Sequence, residues 1–152
     1  AMLGEEEEEE LGAGVRRWVM TEDTSLCFES LNELPGPYIK WFLKGLGHKG
    51  LNKLLAGYED KSAFAQCIIT ICPLDRRDEG AAEDADPISF IGRCYGDIVP
   101  PRSNSDAFGW DPIFEPRDGG GLTFGEMSIA DKNEISHRSI AFQKLCHYLK
   151  HD

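Results

Sequence analysis

The chain lacks a long apolar run, a CxxC pair, an internal repeat and any excess of basic charge. No stretch approaches the roughly 18 consecutive apolar residues of a membrane-spanning helix, so no membrane helix is expected. The N-terminus turns at once to glutamate, without the basic and then apolar regions of a signal peptide. Lys and Arg number 16 against 27 Asp and Glu, a formal charge of -11. That balance argues against a broad basic surface for nucleic acid, though a few placed cations can still hold a phosphate locally. Six of the acids form one run, Glu5 to Glu10; the other 21 against 16 bases leave a chain that is only mildly acidic.

Cysteine use is equally sparing in pattern. Five cysteines, an odd number, sit mostly inside apolar segments such as SLCFESL and FAQCIITIC. There a thiol behaves as a small hydrophobe, and the expectation is buried structural thiols in a reducing compartment. Cys67 and Cys72 lie five apart in a predicted strand and so face opposite sides, which excludes a shared metal. His147 and His151 are four apart near the C-terminus, too close to a fraying end to make a zinc site.

What is present is enough for one domain. A chain of 152 residues with 41% hydrophobic and 10% aromatic content can bury one sizeable core. Residues 1–14 read as an acidic, low-complexity leader, and residues 15–152 as a single domain. A strand is expected over VRRWVM, with Glu22 and Asp23 just after its apolar run, at the end of the strand. Pro35-Gly36-Pro37 should start a helix carrying Tyr38, Trp41, Phe42 and Leu46 on its apolar positions, closed by Gly45 and Gly47. A second short helix is expected from Gly50 to Ala56, with Leu51, Leu54 and Leu55 facing inward. KSAFAQCIITICPL and PISFIGRCYGDIVP read as two strands of an antiparallel hairpin across the polar loop 75–86. A last helix from Ser136 to Leu149 has Ile140, Ala141, Leu145, Tyr148 and Leu149 as its apolar face. Strands with interspersed helices make the fold class α/β or α+β.

Three clusters could carry chemistry. Glu22 and Asp23 are adjacent acids that could hold Mg²⁺ or activate water if the chain turns there; in a continuing strand they would face opposite sides. Phe108-Gly109-Trp110-Asp111-Pro112 could stack a planar base on its aromatics while Asp111 accepts hydrogen bonds, or could be a turn whose aromatics plug the core. Lys132, Ser136, His137 and Arg138 cluster at the approach to the last helix. Ser136 is a natural N-cap, and the free amides and cations beside it favour an anion. The basic residues do not form a stripe with repeated aromatics, so one nucleotide fits better than a nucleic acid.

These motifs, in this order, closely resemble the inosine triphosphate pyrophosphatase, or Ham1-like, family: TEDTSLCF, LPGPYIKWF, LLAGYEDKSAFAQC, FGWDPIFEP and DKNEISHR, from about Trp18 to Leu149. The resemblance implies an elongated α/β mixed-sheet fold with a central cleft, a homodimer, and a cytoplasmic location. It implies hydrolysis of ITP, dITP and XTP to the monophosphate and pyrophosphate with Mg²⁺, which Mn²⁺ can replace. By the same resemblance Asp23 handles metal and catalytic water with Glu22 as its acidic neighbour. Phe108, Gly109, Trp110 and Asp111 form the nucleoside-binding turn, and Lys132 is the phosphate and nucleoside clamp. His137 and Arg138 read the purine 6-oxo group, with Ser136 in support.

One part of the family pattern has no match. The family's first strand and its glycine-rich T-G-N…K…E segment are absent from the sequence. The expectation is therefore an N-terminally truncated domain with an uncovered sheet edge or apolar face and a half-built phosphate site. The alternative to an active enzyme is a nucleotide-binding or dimer-forming homologue without turnover, or a fragment of the active enzyme.

Overall fold

The computed structural model describes residues 17–73, 86–102 and 108–151. The acidic leader, the greater part of the 75–86 loop and the segment just before Phe108 lie outside the described residues. The architecture is a five-stranded sheet in the order β2-β1-β3-β4-β5, with helices packed on it. In chain order the elements are β1 (Trp18–Phe28), β2 (Pro35–Gly36), α1 (Ile39–Leu54), β3 (Ser62–Pro73), β4 (Ile88–Ile98), β5 (Phe114–Pro116), α2 (Ile129–Ile135) and α3 (His137–His151). Every ladder among the described residues is antiparallel.

The hairpin of β3 and β4 forms as the sequence predicts, pairing Ser62 with Asp97 through to Ile71 with Ile88. β1 differs from expectation. It runs through Glu22 and Asp23 to Phe28, paired with β3 along its whole length. The β-branched and apolar partners on β3 hold the two acids in an extended strand, where neighbours alternate between faces. β2 covers only the Leu26 and Cys27 end of the outer edge of β1, and Val19 and Met20 beyond it are half exposed.

One sheet face carries the core, because the apolar residues of the three long strands share a period-2 phase. At one end Leu26, Phe28, Ala63, Ala65, Cys94 and Ile98 pack with Ile39, Leu51 and Leu55 from α1 and its exit, and with Ile113, Phe114 and Phe124. At the other end Cys67, Ile69, Ile71 and Phe90 pack against Ala141 and Leu145 of α3. Gly92 permits this contact. A Cβ there would lie 2.0 Å from the His137 carbonyl oxygen and 2.5 Å from the Ala141 nitrogen, so only glycine lets α3 lie this close to β4.

The two predicted α1 segments are one element broken at Gly47, whose φ of 65° and ψ of 178° interrupt the helical backbone. Its predicted apolar face is reversed in part. Tyr38, Trp41, Phe42 and Leu46 are exposed, whereas Ile39 and Leu51 are buried. In α3, Ala141 and Leu145 point inward as expected and Leu149 does not. Of the cysteines, Cys27, Cys67 and Cys94 are buried, Cys72 is half-buried and Cys146 is exposed.

Candidate active site

The site forms where α2 meets α3. Lys132 to Ile135, expected in the approach to the last helix, lie in a helix of their own. Ser128 starts α2 by accepting the Asp131 N–H at 3.1 Å. Ser136 then ends one helix and begins the next. Its N–H donates to the Lys132 carbonyl at 2.9 Å, and its hydroxyl accepts the Ser139 N–H at 3.2 Å. Ser136 is the expected N-cap, but its buried hydroxyl is spent on the cap. This corner presents Lys132, His137 and Arg138 to one side.

Facing them is the turn 108–111. Gly109 takes a φ of 57°, the left-handed conformation that glycine adopts without strain. Its carbonyl accepts a hydrogen bond at 2.7 Å from His48 Nε2, just after the α1 break. No motif in the sequence pointed to His48; this tie exists only because α1 bends at Gly47. The two aromatics of the turn divide between the two readings. Trp110 packs into the core, 5.7 Å from Phe114 and 6.3 Å from Phe124 between ring centroids. Phe108 is 83% exposed.

Between the corner and the turn lies a pocket of about 490 Å³, walled by Phe108, Asp111, Phe124, Lys132, His137 and Arg138, among others. Lys132 Nζ donates to Asp111 Oδ2 at 2.5 Å and sits 5.0 Å above the Phe124 ring. Phe124 is a wall residue that no motif in the sequence marks. Its signal was weak, a single aromatic in a glycine-rich turn.

His137 packs against the rings of Trp110 and Phe124, at 5.6 and 6.2 Å between ring centroids. Its Nδ1 is buried with no hydrogen-bond partner among the described residues. Burial first, then the charges of Arg138 and Lys132, push its pKa down to about 4. The ring is therefore neutral at physiological pH, with one nitrogen a donor and the other an acceptor.

Arg138 points from the pocket wall toward β1. Its Nη2 and Nε donate to Glu22 Oε1 at 3.1 and 3.3 Å. The same oxygen accepts from the Thr24 hydroxyl at 2.8 Å and the Cys67 thiol at 3.2 Å. Burial raises the Glu22 pKa, but these hydrogen bonds and the Arg138 charge outweigh it and hold the carboxyl below its ordinary value. Burial and the neighbouring carboxylate push Cys67 up to about 12, so it stays a thiol and a donor.

Glu22 and Asp23, expected to share a metal and catalytic role, are separated by the geometry. Glu22 shares the α3 face with its strand partner Ile69, and Asp23 points to the other face. Asp23 is exposed, and its carboxylate makes no hydrogen bond or ion pair among the described residues. No group of three His, Cys, Asp or Glu side chains placed to hold a metal occurs among them either. His147 and His151 stack at 4.3 Å, with no third ligand among the described residues.

Fold and site together define an α/β protein with a small-molecule cleft walled by aromatic and cationic side chains. The chain belongs to the Ham1 family, whose model matches residues 6–148. It is 52% identical over 127 residues to an inosine triphosphate pyrophosphatase of Yarrowia lipolytica, covering 84% of this chain and 62% of that protein. A Tuber melanosporum protein of the same name is 51% identical over 132 residues, covering 87% and 65%. The chain thus spans less than two thirds of the length of the curated relatives it matches. Among solved structures, the Staphylococcus aureus Ham1 protein superimposes with a TM-score of 0.75 at 25% identity, covering 88% of this chain and 67% of that one. A nucleoside-triphosphatase, or dITP/XTP pyrophosphatase, from Mycobacterium abscessus does so with a TM-score of 0.66 at 25% identity, covering 84% and 66%.

Proposed function

We propose that this chain is the base-recognising part of a nucleoside-triphosphate pyrophosphatase for non-canonical purines such as ITP, dITP and XTP. The observation that carries this is His137: a neutral imidazole of a pocket-lining residue, buried against two aromatic rings, whose Nδ1 has no hydrogen-bond partner among the described residues. A buried polar atom without a partner costs free energy, and a ligand that pairs with it recovers that cost. Arg138 stands beside it with donors to spare. Two donors converging on a 6-oxo group accept inosine and xanthosine and reject adenosine, whose amino group presents hydrogens instead. Phe108 supplies the exposed ring for stacking, and Lys132 supplies a cation. The names of the matched relatives support the same substrate class.

In the reaction a water oxygen bonds to the α-phosphorus and the bond from that phosphorus to the bridging oxygen breaks. Pyrophosphate leaves with the electron pair, and the water proton goes to a base. We assign that base to Asp23, the carboxylate of the pair that has no side-chain partner among the described residues. Mg²⁺, or Mn²⁺ in its place, belongs to this reading through the resemblance, but the described residues do not assemble its oxygen cage. Glu22 is committed to Arg138, and Asp23, on the other face, has no second carboxylate placed with it among the described residues, so no step is routed through the ion. A homodimer in the cytoplasm completes the proposal, and the free thiols of the buried Cys27 and Cys94 accord with a reducing compartment.

The test is pyrophosphate release from ITP, XTP, GTP and ATP with Mg²⁺, beside a D23N control. Release from ITP and XTP above that control is the expected result. Absence of release together with measured binding of inosine monophosphate (IMP) would replace the enzyme by a nucleotide-binding homologue. Absence of both would overturn the reading.

A further inference from the structure

We propose that Glu22 is a positioning residue for Arg138 rather than a metal ligand, and that it sets the plane in which the guanidinium meets a 6-oxo purine. This rests on the base-site reading above and deepens it. Oε1 of Glu22 receives Nε and Nη2 of Arg138 together, which fixes the guanidinium plane as a single hydrogen bond would not. Thr24 and Cys67 fix the carboxylate in turn, the one from the same strand and the other from β3. Thr24 Oγ1 also lies 3.5 Å from Nη2. Nη1 has no protein acceptor among the described residues, and Arg138 lines the pocket. That nitrogen keeps two N–H donors for a ligand.

An oxygen that already accepts from four donors is a poor ligand for Mg²⁺, which needs near-ideal octahedral geometry and unshared lone pairs. It is a good anchor for an arginine. Side chains that meet a ligand need their own rotamers held by neighbours, and both Arg138 and Glu22 are partly exposed, with long side chains that would otherwise wander. The pair also joins residues 116 apart in sequence, tying β1 to the first turn of α3. Asp23 is the next residue on that strand, so the contact that orders the base site also fixes the strand bearing the proposed base.

The test is equilibrium binding of IMP and AMP to the full chain in EDTA, for the wild type, E22Q, E22A, R138A and the E22A/R138A double variant. The expected result is a wild-type preference for IMP that falls about tenfold in E22A, the scale of one misaligned charge-assisted hydrogen bond. E22Q should lie between, because its amide oxygen still accepts, and E22A/R138A should lose no more than R138A. A metal role for Glu22 would leave the preference intact in EDTA. An unchanged IMP-to-AMP ratio in both Glu22 variants would overturn the inference, as would an equal weakening of both ligands, the mark of a merely structural role. E22Q is nearly isosteric and decides the matter if E22A does not fold. A wild type that shows no preference removes the base-site reading and this inference with it; a preference that survives in the variants removes only this inference.

Discussion

Lys132 Nζ rests 2.5 Å from Asp111 Oδ2, joining the helix corner to the turn across the mouth of the pocket. Asp111 is buried, and Lys132 is only about a quarter exposed. The pair is therefore a strut as well as a charge source. Removing one partner strands the other. Lys132→Ala should destabilise the chain by about 2 kcal/mol, less than for a fully buried pair because water reaches the lysine. The double variant K132A/D111N should lose less than the sum of the singles. Urea unfolding of the four proteins checks this.

His137 gives stability a pH dependence of known sign. Its folded pKa of about 4 lies below the ordinary 6.5, so the unfolded chain binds the proton more readily between those values. Stability is then full above pH 6.5, falls by about 3 kcal/mol on acidification to pH 4, and changes no further below. Glu22, with its pKa held below 4.5, adds a loss that begins only under that pH. Urea midpoints at pH 7 and pH 5 should differ in the wild type and much less in H137N.

Gly92→Ala should cost about 3 kcal/mol, through overpacking rather than lost conformational freedom. The new methyl would meet the backbone of His137 and Ala141, neither of which can swing away as a side-chain tip could. Because it lifts the start of α3 off β4, IMP binding should weaken too. Thermal unfolding and a binding isotherm on the same preparation test both effects.

Phe108 and Trp110 should separate stability from binding. Phe108→Ala should leave unfolding within about 0.5 kcal/mol of wild type, because its ring is exposed. It should weaken IMP binding by about tenfold through lost stacking. Trp110→Ala opens a hole beside Phe114, Phe124 and His137 and should cost about 3 kcal/mol. If F108A unfolds as readily as W110A, the ring at 108 packs in the core instead of facing a ligand.

Much of this was legible in the sequence. The β3–β4 hairpin, the Ser136 cap and the aromatic turn follow from local rules: period-2 apolar patterning, a hydroxyl before a helix, glycine between aromatics. The motif order was enough to signal the family. Helix faces near a break were less legible, since Gly47 resets the phase and turns Tyr38, Trp41 and Phe42 outward.

What the sequence determined by itself was local: which segments are extended or helical, where they stop, and which residue types are at hand. Tertiary structure alone decided who meets whom. Glu22 and Asp23 are neighbours in the chain, yet unbroken pairing with β3 sends them to opposite faces. Glu22 and Arg138 are 116 residues apart, yet the bare backbone at Gly92 lets α3 settle close enough to join them. The reason is physical. Backbone periodicity and capping act over a few residues, whereas an ion pair across the fold depends on how closely whole elements can pack.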